Sequence, residues 1–377
     1  MEKNKTSKPM TIQIGPAGKG VSGNPSALKF TQLPWADGWV SSDSGPVMRI
    51  STKWTRADYF GALRCRTGSL RNNYKVAPGL YAVGSPNSDS DIFVSANYKL
   101  SFDYLRRGLD GLNAWVLVLD TKGINVWCAA GKGTFGAAEL TRRIKSTGLA
   151  GIVGHKRIIV PQLGAVGVSA HDVRNGTGFM VHYGPVLARD IKAFIAARYR
   201  ASDEMRTVRF PIIDRLALTP MEIRPVMRHF LIFVLSVLVF FGLGREGIIF
   251  GRAFSGGGPV VGLAGLAVLS GAFLTPLFLP FVPFRSFALK GLLTGLAATL
   301  LGLSVFPEMD AYPRAASLIF FPAASSYIAL QFTGSTTFTG MTGVKKELKI
   351  GLPLYIASSA VSLILLVLHK TIKWGSL

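Results

Sequence analysis

Cysteine is scarce in this chain. Its 377 residues hold two, Cys65 and Cys128, beside five histidines and 20 acidic residues against 42 basic ones. Two cysteines exclude a disulfide framework and a four-cysteine iron–sulfur or zinc site, so electrons for any redox chemistry must arrive from a partner. The histidines, His155, His171, His182, His229 and His369, show no metal-ligand spacing. No G-x-G-x-x-G follows a strand, which leaves a nicotinamide or flavin site without support. Gly131-Lys132-Gly133-Thr134 ends like a phosphate loop but fails as one. Val126 stands where glycine belongs, and Gly133 where Ser or Thr should follow the lysine. Met1–Lys8 is polar and holds no apolar leader core, so the N-terminal domain is expected in the reducing cytoplasm, where a thiolate survives.

What is present divides in two. Residues 1–228 hold 32 of the 42 Lys+Arg and 16 of the 20 Asp+Glu, while the remainder is mostly Leu, Phe, Gly, Ala and Val. The basic charge is scattered and precedes apolar spans, which argues against nucleic acid. Residues 1–76 are rich in Gly, Pro, Ser and Trp without a sustained period and read as an irregular N-terminal extension. Strands are then expected at Leu80–Val83, Asp91–Tyr98, Ala114–Thr121, Lys156–Val160 and Gly178–Tyr183. Helices are expected at Phe102–Leu109, Val126–Lys145 and Leu187–Tyr199. This alternation predicts a three-layer α/β domain over 77–200 with a mainly parallel sheet, whose ligands bind at the carboxyl ends of the strands.

A charged linker is expected at 201–228 and an all-α membrane domain at 229–377. Its five apolar stretches lie near 230–250, 260–281, 288–306, 315–331 and 352–368, the first interrupted by Arg245-Glu246. With the N-terminal domain inside, the inner flanks carry Arg224, Arg228, Arg285, Lys290, Lys345, Lys346 and Lys349. The outer flanks carry Arg245, Arg252, Arg314, Lys370 and Lys373, so the inward bias is slight. Gly258/Gly262 and Gly291/Gly295 have the spacing of helix-packing faces.

The segment richest in chemistry is Asn125-Val126-Trp127-Cys128-Ala129-Ala130-Gly131-Lys132. It opens a helix after the strand Ala114–Asp120, with Asn125 as N-cap and Cys128 three residues on, where free N–H groups and the positive helix end favour a thiolate. Lys132, one turn further, adds a cation on the same face. Cys65, between Arg64 and Arg66, is read as incidental, and Trp127 as either a stacking surface or core.

These eight residues resemble the cap-helix signature of the HgcA family, membrane-anchored corrinoid proteins of mercury methylation. The resemblance extends to Ser95–Asp103, Leu119–Ile124, Gly133–Gly136, Pro161–Ala165 and Tyr183–Val186, and covers the chain from about Ala77 onward. It implies an α/β Rossmann-like corrinoid-binding domain, similar to the large subunit of the corrinoid iron–sulfur protein, followed by five transmembrane helices. The histidine-bearing D-x-H-x-x-G loop of many cobalamin enzymes is absent. By this resemblance Cys128 is the lower axial ligand of a cobalamin-type corrinoid, base-off and cysteine-on. The cofactor contacts it implies are Ser95, Asn97, Thr121, the run Asn125, Val126, Trp127, Cys128, Ala129, Ala130, Gly131, Lys132, Gly133 and Thr134, then Gln162, Leu163, Gly164, Ala165, Tyr183, Gly184 and Pro185.

The implied reaction carries methyl from methyl-cobalt(III) to Hg(II), giving methylmercury. The implied partners are an HgcB-type 4Fe-4S ferredoxin, as reductant and presenter of Hg(II), and a folate-linked methyltransferase that reloads the cobalt. Hg(II) prefers thiolates and Cys128 is committed, so mercury is expected to arrive on other thiols. The implied location is the cytoplasmic membrane. Two alternatives stay open: a corrinoid methyl carrier of one-carbon metabolism with a non-mercury acceptor, and a membrane transporter with a cytoplasmic regulatory domain.

Overall fold

A computed structural model describes residues 33–68, 73–244, 247–332 and 341–375. The chain divides into two compact units, Met1–Val208 and Arg209–Leu377. The first is built on a seven-stranded mixed sheet. Its strands are β1 (Ala36–Ser42), β2 (Gly45–Ile50), β3 (Gly79–Val83), β4 (Asp91–Ala96), β5 (Ala114–Leu119), β6 (Arg157–Val160) and β7 (Met180–Tyr183), in the order β1-β2-β3-β5-β4-β6-β7. β5, β4, β6 and β7 run parallel, whereas β3 is antiparallel to β5, and β1 to β2.

Every residue of β5 is buried, as expected of a central strand covered on both faces. Trp115, Leu117 and Leu119 enter one core, and Ala114, Val116 and Val118 the other. The first face is covered by α3 (Val126–Gly131), α4 (Ala137–Ser146), α5 (Leu149–Ile152) and α6 (Ala170–Thr177). On the second lie α2 (Lys99–Gly108), preceded in the chain by α1 (Arg56–Arg66), and α7 (Ile191–Ala196). All five expected strands form, each within two residues of its expected limits.

Two expectations for this unit are corrected. The stretch 36–66, expected as irregular extension, holds the β1–β2 hairpin and α1. β1 alternates half-buried and exposed residues, so no apolar run marks it. Trp35 anchors this segment, its ring meeting Phe102 at 5.3 Å and Tyr81 at 6.0 Å, both edge-on. Residues 1–32 and 69–72 of that extension lie outside the described residues. The helix expected over Val126–Lys145 is two helices, α3 and α4. Gly133 turns the chain at φ +78° and Gly136 caps α4.

A buried ion quartet ties α1 to α2. Lys99 Nζ lies 3.0 Å from Asp58 Oδ1 and 2.5 Å from Asp103 Oδ1, and Arg106 meets both carboxylates at 2.8 Å. Arg106 Nη1 also donates to Ser51 O at 2.6 Å and Lys53 O at 3.0 Å. Burial alone would raise the Asp58 carboxyl. The Thr55 N–H, Lys99 and Arg106 outweigh it and bring the pKa down to about 2.

The second unit is helical. After the short α8 (Asp203–Arg206), α9 (Ile212–Gly242) is followed by α10 (Phe250–Leu269), a π turn at Ser270–Leu274 and α11 (Thr275–Leu277). Then come α12 (Phe287–Val305), α13 (Ala311–Gln331) and α14 (Met341–Gly375). Much of the linker expected at 201–228 is thus the first half of α9, a helix that continues through Pro220 and Pro225. Four of the five expected spans are helices long and apolar enough to cross a membrane: Ile212–Gly242, Phe250–Leu277, Phe287–Val305 and Gly343–Trp374. The remaining expected stretch, 315–331, is α13, which falls outside that set. It packs against α10, α12 and α14 and buries Ser317, Ser325 and Ser326, so its faces meet protein and tolerate hydroxyls. Arg245-Glu246 lie outside the described residues.

Of the two glycine pairs, Gly291/Gly295 is a packing face. A Cβ there would stand 2.6 Å from Ala329 Cβ and 2.5 Å from Ser325 Cβ on α13. Gly258 faces open space.

Replacing Arg106 with Leu leaves two buried carboxylates with one cation. Full-length protein in detergent should lose about 3–5 kcal/mol from the unfolding of its N-terminal unit, read by urea titration of tryptophan fluorescence. A change below about 1 kcal/mol would mean the quartet does not hold α1 to the sheet.

Candidate functional site

The carboxyl ends of β4, β5, β6 and β7 lie at one edge of the sheet, where parallel strands deliver their following loops together. The β5 loop is shaped from below by Asn97, the residue after β4. Asn97 Oδ1 accepts from Thr121 N at 3.1 Å and Gly123 N at 2.9 Å, and lies 2.9 Å from the Thr121 hydroxyl. Its Nδ2 donates to Asp120 Oδ1 at 3.3 Å. Thr121 Oγ1 also sits 2.6 Å from Ile124 O. Within this frame Lys122 and Gly123 both take left-handed backbone angles, φ +61° and +77°, which turn the chain toward α3. Lys122 is fixed there by its N–H and Nζ on Asp120, at 3.1 and 2.7 Å.

Glu139, on the first turn of α4, closes the frame by accepting from Asp120 N at 2.9 Å. Arg143 and Arg142 pair with the same carboxylate. Burial would raise the Glu139 carboxyl, but the Asp120 N–H and the two guanidiniums outweigh it and hold it below its ordinary 4.5. Burial likewise opposes Asp120, and Lys122 brings it below 3.8. Neither Glu139 nor Asp120 was singled out from the sequence as a site residue. With one helix expected over Val126–Lys145, Glu139 stood mid-helix and gave no hint of this role.

Asn125 then caps α3 as expected, its Oδ1 accepting from Cys128 N at 2.9 Å. α3 has two faces. Val126, Ala129 and Ala130 are buried in the core, while Trp127 is 40% exposed, Cys128 is half-buried and Gly131 is exposed. A Cβ built on Gly131 or Gly133 would meet nothing within 4 Å. The outer face of α3 therefore offers a thiol beside open, side-chain-free backbone. Lys132 is the exposed C-cap of α3, its N–H bonded to Cys128 O and Ala129 O at 3.2 Å.

The β6 loop packs against α3. A Cβ on Gly167 would strike Phe135 O at 2.2 Å and Ala130 Cα at 3.0 Å, and one on Gly164 would strike the Phe135 ring at 2.4 Å. Tyr183 holds this loop by donating to Val168 O at 2.6 Å. Gln162 Oε1 is buried and accepts no hydrogen bond, and Val166 at the loop tip is 85% exposed.

The residues expected at the site thus separate by position. Cys128, Trp127, Gly131, Lys132, Gly133, Thr134, Gln162, Leu163 and Ala165 are at least partly accessible around α3. Ser95, Asn97 and Thr121 are at most 3% exposed, and Thr121 and Asn97 spend their polar groups on the loop frame. Gly164, Gly184 and Pro185 are buried, and Tyr183 uses its hydroxyl within the protein. These lie beneath the surface. Cys65 is 1% exposed. Among the described residues no cluster of three His, Cys, Asp or Glu side chains forms a metal site. A separate cleft of about 390 Å³ between α4, α5 and α6 includes none of these residues.

Residues 68–196 match the CO dehydrogenase/acetyl-CoA synthase delta subunit family. The chain is similar to the acetyl-CoA decarbonylase/synthase complex subunit gamma of Archaeoglobus fulgidus, 30% identical over 127 residues, covering 33% of this chain and 27% of that protein. The Methanocaldococcus jannaschii counterpart is 33% identical over 119 residues, 31% of this chain and 24% of its own. The corrinoid/iron-sulfur protein large subunit of Moorella thermoacetica is 30% identical over 125 residues, 33% and 28%. The chain spans about a quarter of the length of these relatives. The matched stretch holds β3 to β7 and every residue of the site, and excludes the helical unit.

Asn97→Ala would strand the buried Gly123 N–H at about 1–3 kcal/mol and leave Thr121 N on Leu119 O alone. Hydrogen exchange of residues 121–125 should accelerate while the β5 amides stay protected; unchanged exchange would remove Asn97 from its positioning role. Because the carboxyls of Glu139 and Asp120 are lowered in the fold, their contribution is fully present above their ordinary values of 4.5 and 3.8. It is lost as pH falls through the depressed values. Acid should loosen the loop in wild type, and Glu139→Gln should weaken that response.

Proposed function

We propose that the N-terminal unit is a corrinoid methyl carrier and that Cys128 is the lower ligand of its cobalt. The observation that carries this reading is the outward thiol of Cys128, beside Gly131 and Gly133 with open space above both, inside the segment similar to corrinoid proteins. The residues present fit such a group. Cys128 Sγ is a soft donor suited to a late first-row metal. The bare backbone at 131 and 133 lets a flat macrocycle lie close, with Trp127 and Val166 as exposed apolar surface beside it. Gln162 Oε1 is a buried acceptor in want of a donor, as the amide side chains of a corrin would supply.

A bound corrinoid supplies a cobalt centre that takes up and releases a methyl group. The protein's part is to hold the sulfur in place: Asn97 sets the loop, Asn125 caps the helix, and Glu139 ties the loop to α4. We further propose Hg(II) as the methyl acceptor, on the likeness of residues 125–132 to the HgcA family. With one accessible thiol, already committed, the chain needs mercury to be delivered on the thiols of a partner or small carrier. With two cysteines it also needs a separate iron–sulfur reductant, of the HgcB ferredoxin kind, and a folate-linked methyltransferase to reload it. The four apolar helices support residence in a membrane; on the likeness to the HgcA family it is the cytoplasmic membrane, with the N-terminal unit inside.

The names of the relatives favour a second reading, a methyl acceptor of carbon metabolism. Purified protein loaded with methylcobalamin separates the two. Wild type should give a sulfur-ligated cobalt spectrum that Cys128→Ala lacks, and added Hg(II) should yield methylmercury only with wild type. Identical spectra would sink the ligand role. Methyl transfer to a carbon acceptor but not to mercury would establish the second reading. Gly131→Leu, whose side chain enters open space, should leave the unfolding midpoint unchanged and lower methylcobalamin uptake by about 10–100-fold.

A further inference from the structure

In the helical unit two cations from different helices converge on one chain break. Arg215, in the first turn of α9, donates from Nη1 to Pro276 O at 3.3 Å and Leu277 O at 2.6 Å. Lys290, in the first turn of α12, donates to Leu279 O. Each residue is 6% exposed. Cations commonly cap the carbonyls at the end of a helix, and α11 ends here. Partial charges on three carbonyls do not balance two buried cations. Among the described residues neither forms an ion pair, and Arg215 Nε is buried with no hydrogen-bond partner. Glu347, the acid near this point, is already taken by the Ser286 hydroxyl and Ala288 N–H, both at 2.8 Å. A buried guanidinium N–H without an acceptor is a vacancy for an anion.

The same break carries a second feature. Between α11 and α12 the chain exposes three phenyl rings, Phe278 at 44%, Phe281 at 74% and Phe284 at 43%. Apolar rings beside buried cations, at an end shared by helices able to span a membrane, match a molecule with an anionic head and hydrocarbon tails. We infer that Arg215 and Lys290, with the Phe278–Phe284 loop, bind the phosphate and acyl chains of an anionic phospholipid. Arg215 supplies the unused N–H, Lys290 the second positive charge, and the rings the surface for a tail. This site rests on the helical unit lying in a membrane and is independent of what the carrier unit carries.

Native mass spectrometry of full-length protein, given phosphatidylglycerol and phosphatidylcholine at equal mole fraction, tests it. Wild type should retain the anionic lipid over the zwitterionic one by about tenfold. Arg215→Gln and Lys290→Met should each bring that ratio toward one, whereas Arg215→Lys, which keeps the charge, should retain most of it. Millimolar inorganic phosphate should not displace the lipid. Equal retention in wild type, an unchanged ratio in the two neutral variants, displacement by free phosphate, or equal loss in Arg215→Lys would each overturn the assignment.

Discussion

One side-chain oxygen organises the open end of the N-terminal unit. Asn97 Oδ1 lies where β4 stops and collects two backbone N–H groups from the β5 loop. Its two lone pairs can take both, while the amide Nδ2 donates to Asp120 Oδ1 at 3.3 Å. The loop's own backbone bonds are few, Thr121 N to Leu119 O and Ile124 N to Thr121 O, so this added acceptor helps fix where α3 begins. Through Asn125 it fixes the direction of the Cys128 thiol. Polar residues deep in the fold thus act on the surface indirectly, by fixing the backbone on which the exposed groups stand.

The six-residue α3 uses its periodicity to separate holding from presenting. Residues 126, 129 and 130 face the core, and 127, 128 and 131 face outward. The glycines of the β6 loop complete the holding side by allowing backbone to lie against Phe135 and Ala130, where a methyl group would collide. Gly131 at the end of α3 and Gly133 just beyond it do the reverse and leave space outside. Identical residues thus serve close packing at 164 and 167 and vacancy at 131 and 133.

Much of this was legible in the sequence. Apolar runs bounded by turn residues marked all five strands from β3 to β7, and the Asn-x-x-Cys spacing gave the cap that forms. What escaped had physical reasons. The β1–β2 hairpin alternates exposure at a sheet edge and carries no apolar run. The break at Gly133 stands among three glycines, 131, 133 and 136, set against the helix-favouring alanine pairs 129–130 and 137–138. Asn97 and Thr121, expected at the cofactor, are buried and spend their polar groups on the loop frame. Burial depends on where other loops fall, and a single sequence does not encode that locally. Glu139 acts through a partner 19 residues away, beyond any short motif. α13 departed from a full apolar span because its neighbours, rather than lipid, face its hydroxyls.

The burial of Cys65 has a stoichiometric consequence. The chain owns two sulfhydryls and the fold withdraws one of them, at 1% exposure, from all reagents. A folded molecule therefore titrates as a monothiol. Any occupant seated on Cys128 converts it into a molecule with no reactive sulfur at all. The fraction of chains that still consume a thiol reagent then counts the empty sites directly. A soft metal ion meeting the bare chain would find the same single accessible sulfur.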